Sequence, residues 1–144
     1  MSGVSAIDNI NVGDEFTNSF HVTLDDQNAF ADVSGDRNPL HLNETFARSK
    51  GFDGAVVYGA LVVAKLSKII GEEIPGQNGI WNNVTMNFNQ PVFVNEAVEI
   101  RAVVDHISPG TGAVILKLAV YCEDQKRMSG KAMVMFFDQA GDAA

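Results

Sequence analysis

The sequence holds one cysteine, Cys122, in 144 residues, so no internal disulfide can form and no covalent staple sets the fold. That thiol lies in the strand-like run Ala113 to Tyr121 and onward, which fits an inert, buried side chain better than a nucleophile. Cations are scarce too. Ten lysines and arginines against eighteen carboxylates leave a formal charge of −8, the wrong sign for a phosphate-backbone surface, so no nucleic-acid partner is expected. No apolar run reaches bilayer-spanning length and no charged stretch followed by an apolar one opens the chain. No membrane association and a reducing, cytoplasmic setting are therefore expected. There is no glycine-rich phosphate loop and no His, Cys, Asp and Glu spacing that resembles a metal site, so neither metal nor cofactor is expected.

What is present reads as one domain over 1–144, long enough to bury its own core. A frayed start over about residues 1–11, before Val12-Gly13, and a tail over about residues 139–144 are expected. Glu15 to Val22 reads as a first strand anchored by Phe16 and Phe20. Thr23 then caps a short helix, with Asp25 and Asp26 in its first turn and Leu24, Phe30 and Val33 recurring at multiples of three.

From Tyr58 to Ile70 the chain is apolar almost all round, broken only by Lys65, Ser67 and Lys68, which predicts a helix held inside and ended by Gly71. Pro75-Gly76 marks the loop that leaves it. The period then changes to two. Val84, Met86 and Phe88 form one alternating set, and Val98, Ile100, Ala102 and Val104 another. After a turn at Pro109-Gly110 and Gly112 come Val114, Leu116, Leu118 and Val120, then Gly130, Ala132, Val134 and Phe136 in the run Met128 to Phe137. One long helix ahead of several antiparallel strands is an α+β layout, with the helix on one face of a sheet.

The chemistry-bearing stretch is Phe30 to Ala47, FADVSGDRNPLHLNETFA, which sets Asp36 and His41 either side of an Asn38-Pro39 corner. Proline fixes its own φ and pushes Asn38 toward extended conformations, so the preceding helix cannot continue and a defined loop is expected, with Gly35 as a second bend. Two groups that exchange protons near neutral pH on a stiffened loop are what acid–base chemistry requires. Asn38 is expected to bond within the turn and to fix the separation of the pair. His21 and His106 have no such loop beside them and read as structural.

The order Phe30, Ser34-Gly35-Asp36, Asn38-Pro39-Leu40-His41 and Ala47 resembles the signature of the (R)-specific enoyl-CoA hydratases, within the MaoC-like family of hot dog fold proteins. Tyr58-Gly59-Ala60-Leu61, Ile74-Pro75-Gly76 and Phe88-Asn89-Gln90-Pro91-Val92 extend the likeness over Val12 to Phe137. The resemblance implies a central apolar helix wrapped by a curved antiparallel sheet, and a homodimer with sheets joined edge to edge. It implies addition of water across a trans-2-enoyl-CoA, giving the (R)-3-hydroxyacyl-CoA, or the reverse dehydration, in fatty acid or polyhydroxyalkanoate metabolism. The acyl-CoA is substrate, not cofactor.

In that scheme Asp36 and His41 hold the water, and either can accept a proton while the other donates. The Gly59 N–H would bind the thioester oxygen, a role suited to a helix start, where N–H groups are unpaired; the plainer alternative is a glycine that only begins the helix. Ser67 matches a family serine that reaches back into the site, against the commoner habit of bonding its own backbone. Tyr58 and Ala60 stand where many relatives have histidine and methionine, and Tyr58 is expected to touch substrate. Asn95-Glu96 replaces a frequent Gly-Asp, and asparagine tolerates the left-handed turn. Leu61, Val62, Leu66 and Trp81 are the expected acyl-tunnel lining, bulky enough to limit chains to roughly four to six carbons. Arg37, Arg48, Lys50, Lys65 and Lys68 form either a basic rim for the nucleotide end of coenzyme A or an ordinary solvated face.

Three other readings compete. A hot dog thioesterase would use a carboxylate on the central helix, and none lies between Tyr58 and Ile70. A non-catalytic acyl-binding or dimerisation module has no reason to keep Asp36, Asn38 and His41 together. A dehydratase acting on acyl carrier protein, or on branched or dicarboxylic acyl-CoA, keeps the chemistry, although an acidic surface disfavours an acidic carrier.

Overall fold

Period-two alternation in the sequence becomes a single five-stranded antiparallel sheet in the computed structural model of the protein, which describes residues 7–137. The strands are β1 (Glu15–Phe20), β2 (Gly79–Phe88), β3 (Val98–Ser108), β4 (Ala113–Cys122) and β5 (Gln125–Phe136), in the spatial order β1-β3-β4-β5-β2. Register sets Ile100 opposite Val120, Ala102 opposite Leu118 and Val104 opposite Leu116, so the apolar positions of both strands share one face. That face is buried against the helix α4 (Gly59–Glu72) through Val62, Leu66, Ile69 and Ile70. Three short helices, α1 (Leu24–Ser34), α2 (Pro39–Leu42) and α3 (Glu44–Ser49), carry the chain from edge strand β1 toward α4. This is the expected α+β hot dog layout, a central helix wrapped by a curved antiparallel sheet.

Several local expectations are overturned. Of the start expected to fray over about residues 1–11, residues 1–6 lie outside the described residues; in the rest a 3-10 turn spans Ile7–Asn9, Ile10 is buried, and the Gly13 N–H donates to Val104 O at 2.8 Å. The expected tail over residues 139–144 lies outside the described residues. In α1, Leu24 and Val33 are exposed while Gln27 and Ala31 are fully buried. A step of three residues falls about 60° short of a full turn, so a strict period of three drifts off the core face. Gly71 does not stop α4, which continues to Glu72 and is capped by Glu73 in right-handed backbone. Nor is α4 inside all round, since Ala60, Ala64, Ser67 and Lys68 are exposed.

The β4–β5 turn carried no glycine to announce it. Glu123 and Asp124 both take positive φ, 51° and 63°, and close a tight hairpin that starts β5 three residues before Met128. Edge strand β2 is mostly exposed, Val84 and Phe88 included, with a register shift between Trp81 and Asn83. Among the described residues, no helix is long and apolar enough to cross a membrane.

Candidate active site

The site begins at a well-made cap. Asp26 N–H donates to Thr23 Oγ1 at 3.1 Å and Thr23 N–H donates to Asp26 Oδ2 at 2.9 Å, a reciprocal box that fixes the start of α1. The Thr23 backbone hydrogen bond holds the Asp26 carboxyl below its usual range. At the other end Gly35 takes φ +82°, its N–H donating to Ala31 O, and the chain turns out of the helix. Asp36 Oδ1 then accepts the Asn38 N–H and Asn38 Oδ1 accepts the Leu40 N–H, each at 3.0 Å. With Asn38 as cap and Pro39 at its first position, the segment is not the expected loop. It closes into the one-turn helix α2, and His41 sits on it. Asn38 does bond within the turn, as its type required.

His41 is half-buried, with Nδ1 2.7 Å from Val56 O. A carbonyl only accepts, so Nδ1 carries the proton and, in the neutral ring, Nε2 keeps its lone pair. The imidazole stacks on Tyr58, centroids 4.1 Å apart, and Tyr58 packs in turn on Phe30 at 4.7 Å. The Tyr58 hydroxyl donates to the Asp36 backbone carbonyl at 2.5 Å. Burial first, and the Asp36 charge second, push the Tyr58 hydroxyl above its ordinary pKa, so it stays a donor. Tyr58 thus ties His41 and the Asp36 turn to one ring. It is 2% exposed and does not line the groove, although it was expected among the substrate-binding residues.

Beneath this cluster, Gln27 is fully buried. Its Nε2 donates to His41 O at 2.8 Å and to Val56 O at 2.9 Å, and its Oε1 accepts the Tyr58 N–H at 3.3 Å. A groove of about 410 Å³ opens above, with His41, Val56 and Gly59 on one side and Phe88, Pro91 and Met128 among its other lining residues. Among the described residues no acceptor meets the Gly59 N–H at the start of α4. A Cβ at Gly59 would come 2.8 Å from the Phe88 ring, so any side chain there would have to displace that ring. Asp36 does not line the groove; it is exposed on the turn that Tyr58 holds.

The neighbouring segment, bridged to Val56 at Phe93, is pinned differently. Arg127, 8% exposed, donates through Nη1 to Pro91 O at 2.6 Å and pairs both Nη atoms with the Glu96 carboxylate at 3.0 Å. Glu96 Oε1 also accepts the Phe93 N–H at 2.8 Å. Burial works against this carboxylate, yet Arg127 and the Phe93 N–H outweigh it and hold Glu96 below its usual range. Asn95 takes φ 72°, the left-handed position expected of it.

Residues 9–121 match the MaoC like domain family. The chain belongs to the MaoC-like family. It is 29% identical over 113 residues to a 3-hydroxybutyryl-CoA dehydratase from Methylorubrum extorquens, covering 78% of this chain and 72% of the relative. It is 31% identical over 98 residues to a mitochondrial 3-hydroxyacyl-[acyl-carrier-protein] dehydratase from Arabidopsis thaliana, covering 68% and 58%. The solved (R)-hydratase from A. caviae, described as involved in PHA biosynthesis, superimposes with a TM-score of 0.85 at 27% identity, covering 90% of this chain and 98% of that one. The relatives of this MaoC-like chain are thus hydratases and dehydratases, which supports an enzyme of that kind.

Not every expected residue of the MaoC-like site joins it. Val62 and Leu66 are fully buried in the core, Leu61 and Trp81 pack against that core, and none of the four lines the groove. A face of α4 that is solvated in sequence pattern only at Lys65, Ser67 and Lys68 gave no sign of which apolar residues turn inward. Ser67 is exposed, about 12 Å along α4 from Gly59. The five cations do not form a rim around the groove. Arg37 pairs with Asp32, Arg48 with Glu44 and Lys68 with Glu72, while Lys50 and Lys65 lie over Phe46 and Phe20. A larger concavity of about 670 Å³, bordered by Arg101, Lys117, Tyr121 and Lys131, contains no histidine. His21 and His106 are both exposed, and burial raises the pKa of the Cys122 thiol. Two residues of the site escaped sequence reasoning, Gln27 and Arg127. The one signal for Gln27 is its place between Leu24 and Phe30, a polar residue in an apolar series.

Proposed function

We propose that the protein is an (R)-specific enoyl-CoA hydratase, equally an (R)-3-hydroxyacyl-CoA dehydratase, in which His41 at the groove and Asp36, from the exposed turn beside it, hold the reacting water once substrate is bound. The observation that carries this is His41 Nδ1 against Val56 O, which leaves Nε2 as an acceptor at a groove that also holds the unpaired Gly59 N–H. In hydration, water oxygen bonds to the β carbon as one of its protons passes to Nε2. The electron pair of the double bond shifts toward the thioester oxygen, where the Gly59 N–H stabilises the growing charge. The pair then returns the proton to the α carbon, so that the sum is one water added across the bond. Delivery from one short segment places both additions on one face of the flat enoyl group, which accords with a single (R) product.

A homodimer accompanies this reading. Edge strand β2 exposes Ile80, Val84 and Phe88, and α4 exposes Ala60 and Ala64, an apolar and small-residue surface suited to a second copy. A thioesterase is disfavoured because the one carboxylate on α4, Glu72, lies at its far end and pairs with Lys68. Crotonyl-CoA is the test substrate. Loss of enoyl absorbance without release of free thiol, and a product oxidised only by an (R)-specific dehydrogenase, is expected; thiol release or an (S) product overturns the assignment. Carrier-protein thioesters assayed beside it distinguish the two kinds of dehydratase found among the relatives.

A further inference from the structure

We propose that Gln27 is a positioning residue for His41: it holds the Val56 carbonyl that fixes His41 as the Nδ1–H tautomer, and so keeps Nε2 an acceptor in the groove. The kinetic consequence rests on the hydratase reading; the structural consequence does not.

Gln27 and Arg127 are the two buried polar or charged residues among those described, and Gln27 is 0% exposed. Its amide reaches three backbone groups on the two segments that build the site: His41 O, Val56 O and the Tyr58 N–H. Its orientation is not arbitrary. Two carbonyls demand donors and one N–H demands an acceptor, so the flipped amide would set its oxygen against two other oxygens. The Val56 carbonyl accepts from both Gln27 Nε2–H and His41 Nδ1–H, one donor per lone pair, while the N–H of the same peptide, on Val57, donates to Val92 O at 2.7 Å. The peptide that aims His41 is therefore held from three sides, and Gln27 supplies the only one of these contacts that comes from α1.

Without the Gln27 amide, His41 O and the Tyr58 N–H are left without these partners, and the Val56 carbonyl loses one of the two donors that aim it at the imidazole. The Nε2–H tautomer then gains population, presenting a donor where water must give up a proton. Turnover falls, while substrate binding by the groove walls and the Gly59 N–H does not.

The decisive measurement is ¹⁵N NMR of the His41 imidazole at alkaline pH, where an ordinary imidazole is neutral, combined with crotonyl-CoA kinetics. Wild type is expected to show the Nδ1–H tautomer. Gln27→Met, similar in length but without polar atoms, is expected to show a tautomer mixture, with kcat down about tenfold or more and KM within about twofold. Gln27→Glu keeps an acceptor for the Tyr58 N–H but cannot donate twice, and serves if the methionine variant does not fold; the same tautomer loss is expected. A wild-type Nε2–H tautomer, or a folded variant with wild-type tautomer and kcat, overturns the proposal. An inactive wild type whose tautomer still scrambles in Gln27→Met would sink the hydratase reading and leave the positioning role standing.

Discussion

Behind His41 the pin is a neutral amide, Gln27; behind Pro91 and Phe93, on the segment hydrogen-bonded to Val57, it is an ion pair between Arg127 and Glu96. Both pins do the same mechanical work, crossing from one segment to another and satisfying backbone groups that would otherwise be stranded. The difference lies in the field each imposes. A buried charge shifts the protonation of its neighbours, which is harmless beside the apolar Pro91 but would bias a proton carrier. A neutral amide fixes geometry without that bias.

The largest expected effect comes from breaking the ionic pin. Arg127→Met leaves the half-buried Glu96 carboxylate and the Pro91 carbonyl without their partner and is expected to cost about 3 kcal/mol of stability in denaturant unfolding, the low end for a buried pair, with the His41 tautomer unchanged in the folded fraction. A cost no greater than that of an ordinary surface substitution would mean the pair is ornamental. Next come Asp36 and His41. Asp36→Asn and His41→Ala are each expected to lower turnover of crotonyl-CoA by about a hundredfold or more with the fold intact, and the double variant to add little. If either single variant keeps near-native rates, that residue does not carry the proton.

Gly59→Ala sharpens the comparison at the mouth of the groove, because its new methyl group meets the Phe88 ring at 2.8 Å. A fall of about tenfold in kcat/KM is expected as the ring is displaced across the Gly59 N–H, with partial recovery when Phe88→Ala is added. The smallest effect is electrostatic. Glu96 is held below its usual range in the folded protein, so its contribution is complete above an unfolded value near pH 4.3 and is lost as pH falls through the folded value. Melting temperature should therefore drop on acidification below about pH 4, and Glu96→Gln should flatten that part of the profile.

Strand faces were readable because a sheet buries every second residue: Val98, Ile100, Ala102 and Val104 on β3 and Val114, Leu116, Leu118 and Val120 on β4 are all buried as their alternation requires. The helical faces were less readable. α4 is apolar on nearly every side, so no periodic contrast identified Val62 and Leu66 as core rather than tunnel lining, and a period of three misassigned the inward face of α1. Asp36, Asn38 and His41 were legible because a short segment carries them together. Gln27 was not, since its partners lie 14, 29 and 31 residues away and a lone polar residue in a helix carries no mark of what it will meet.

By itself, the sequence determined the family, the strand alternation, the Thr23 cap and the spacing of Asp36 and His41, all of which depend on neighbours within a few residues or on a recurring period. The tertiary structure alone decided that Tyr58 is buried against His41 and bonded to the Asp36 backbone, that Val56 orients the imidazole, and that Gln27 and Arg127 pin two segments beside the groove. Those roles depend on which backbone groups are left unpaired when distant segments close on one another, and the packing of the folded chain is what brings them within reach of a hydrogen bond.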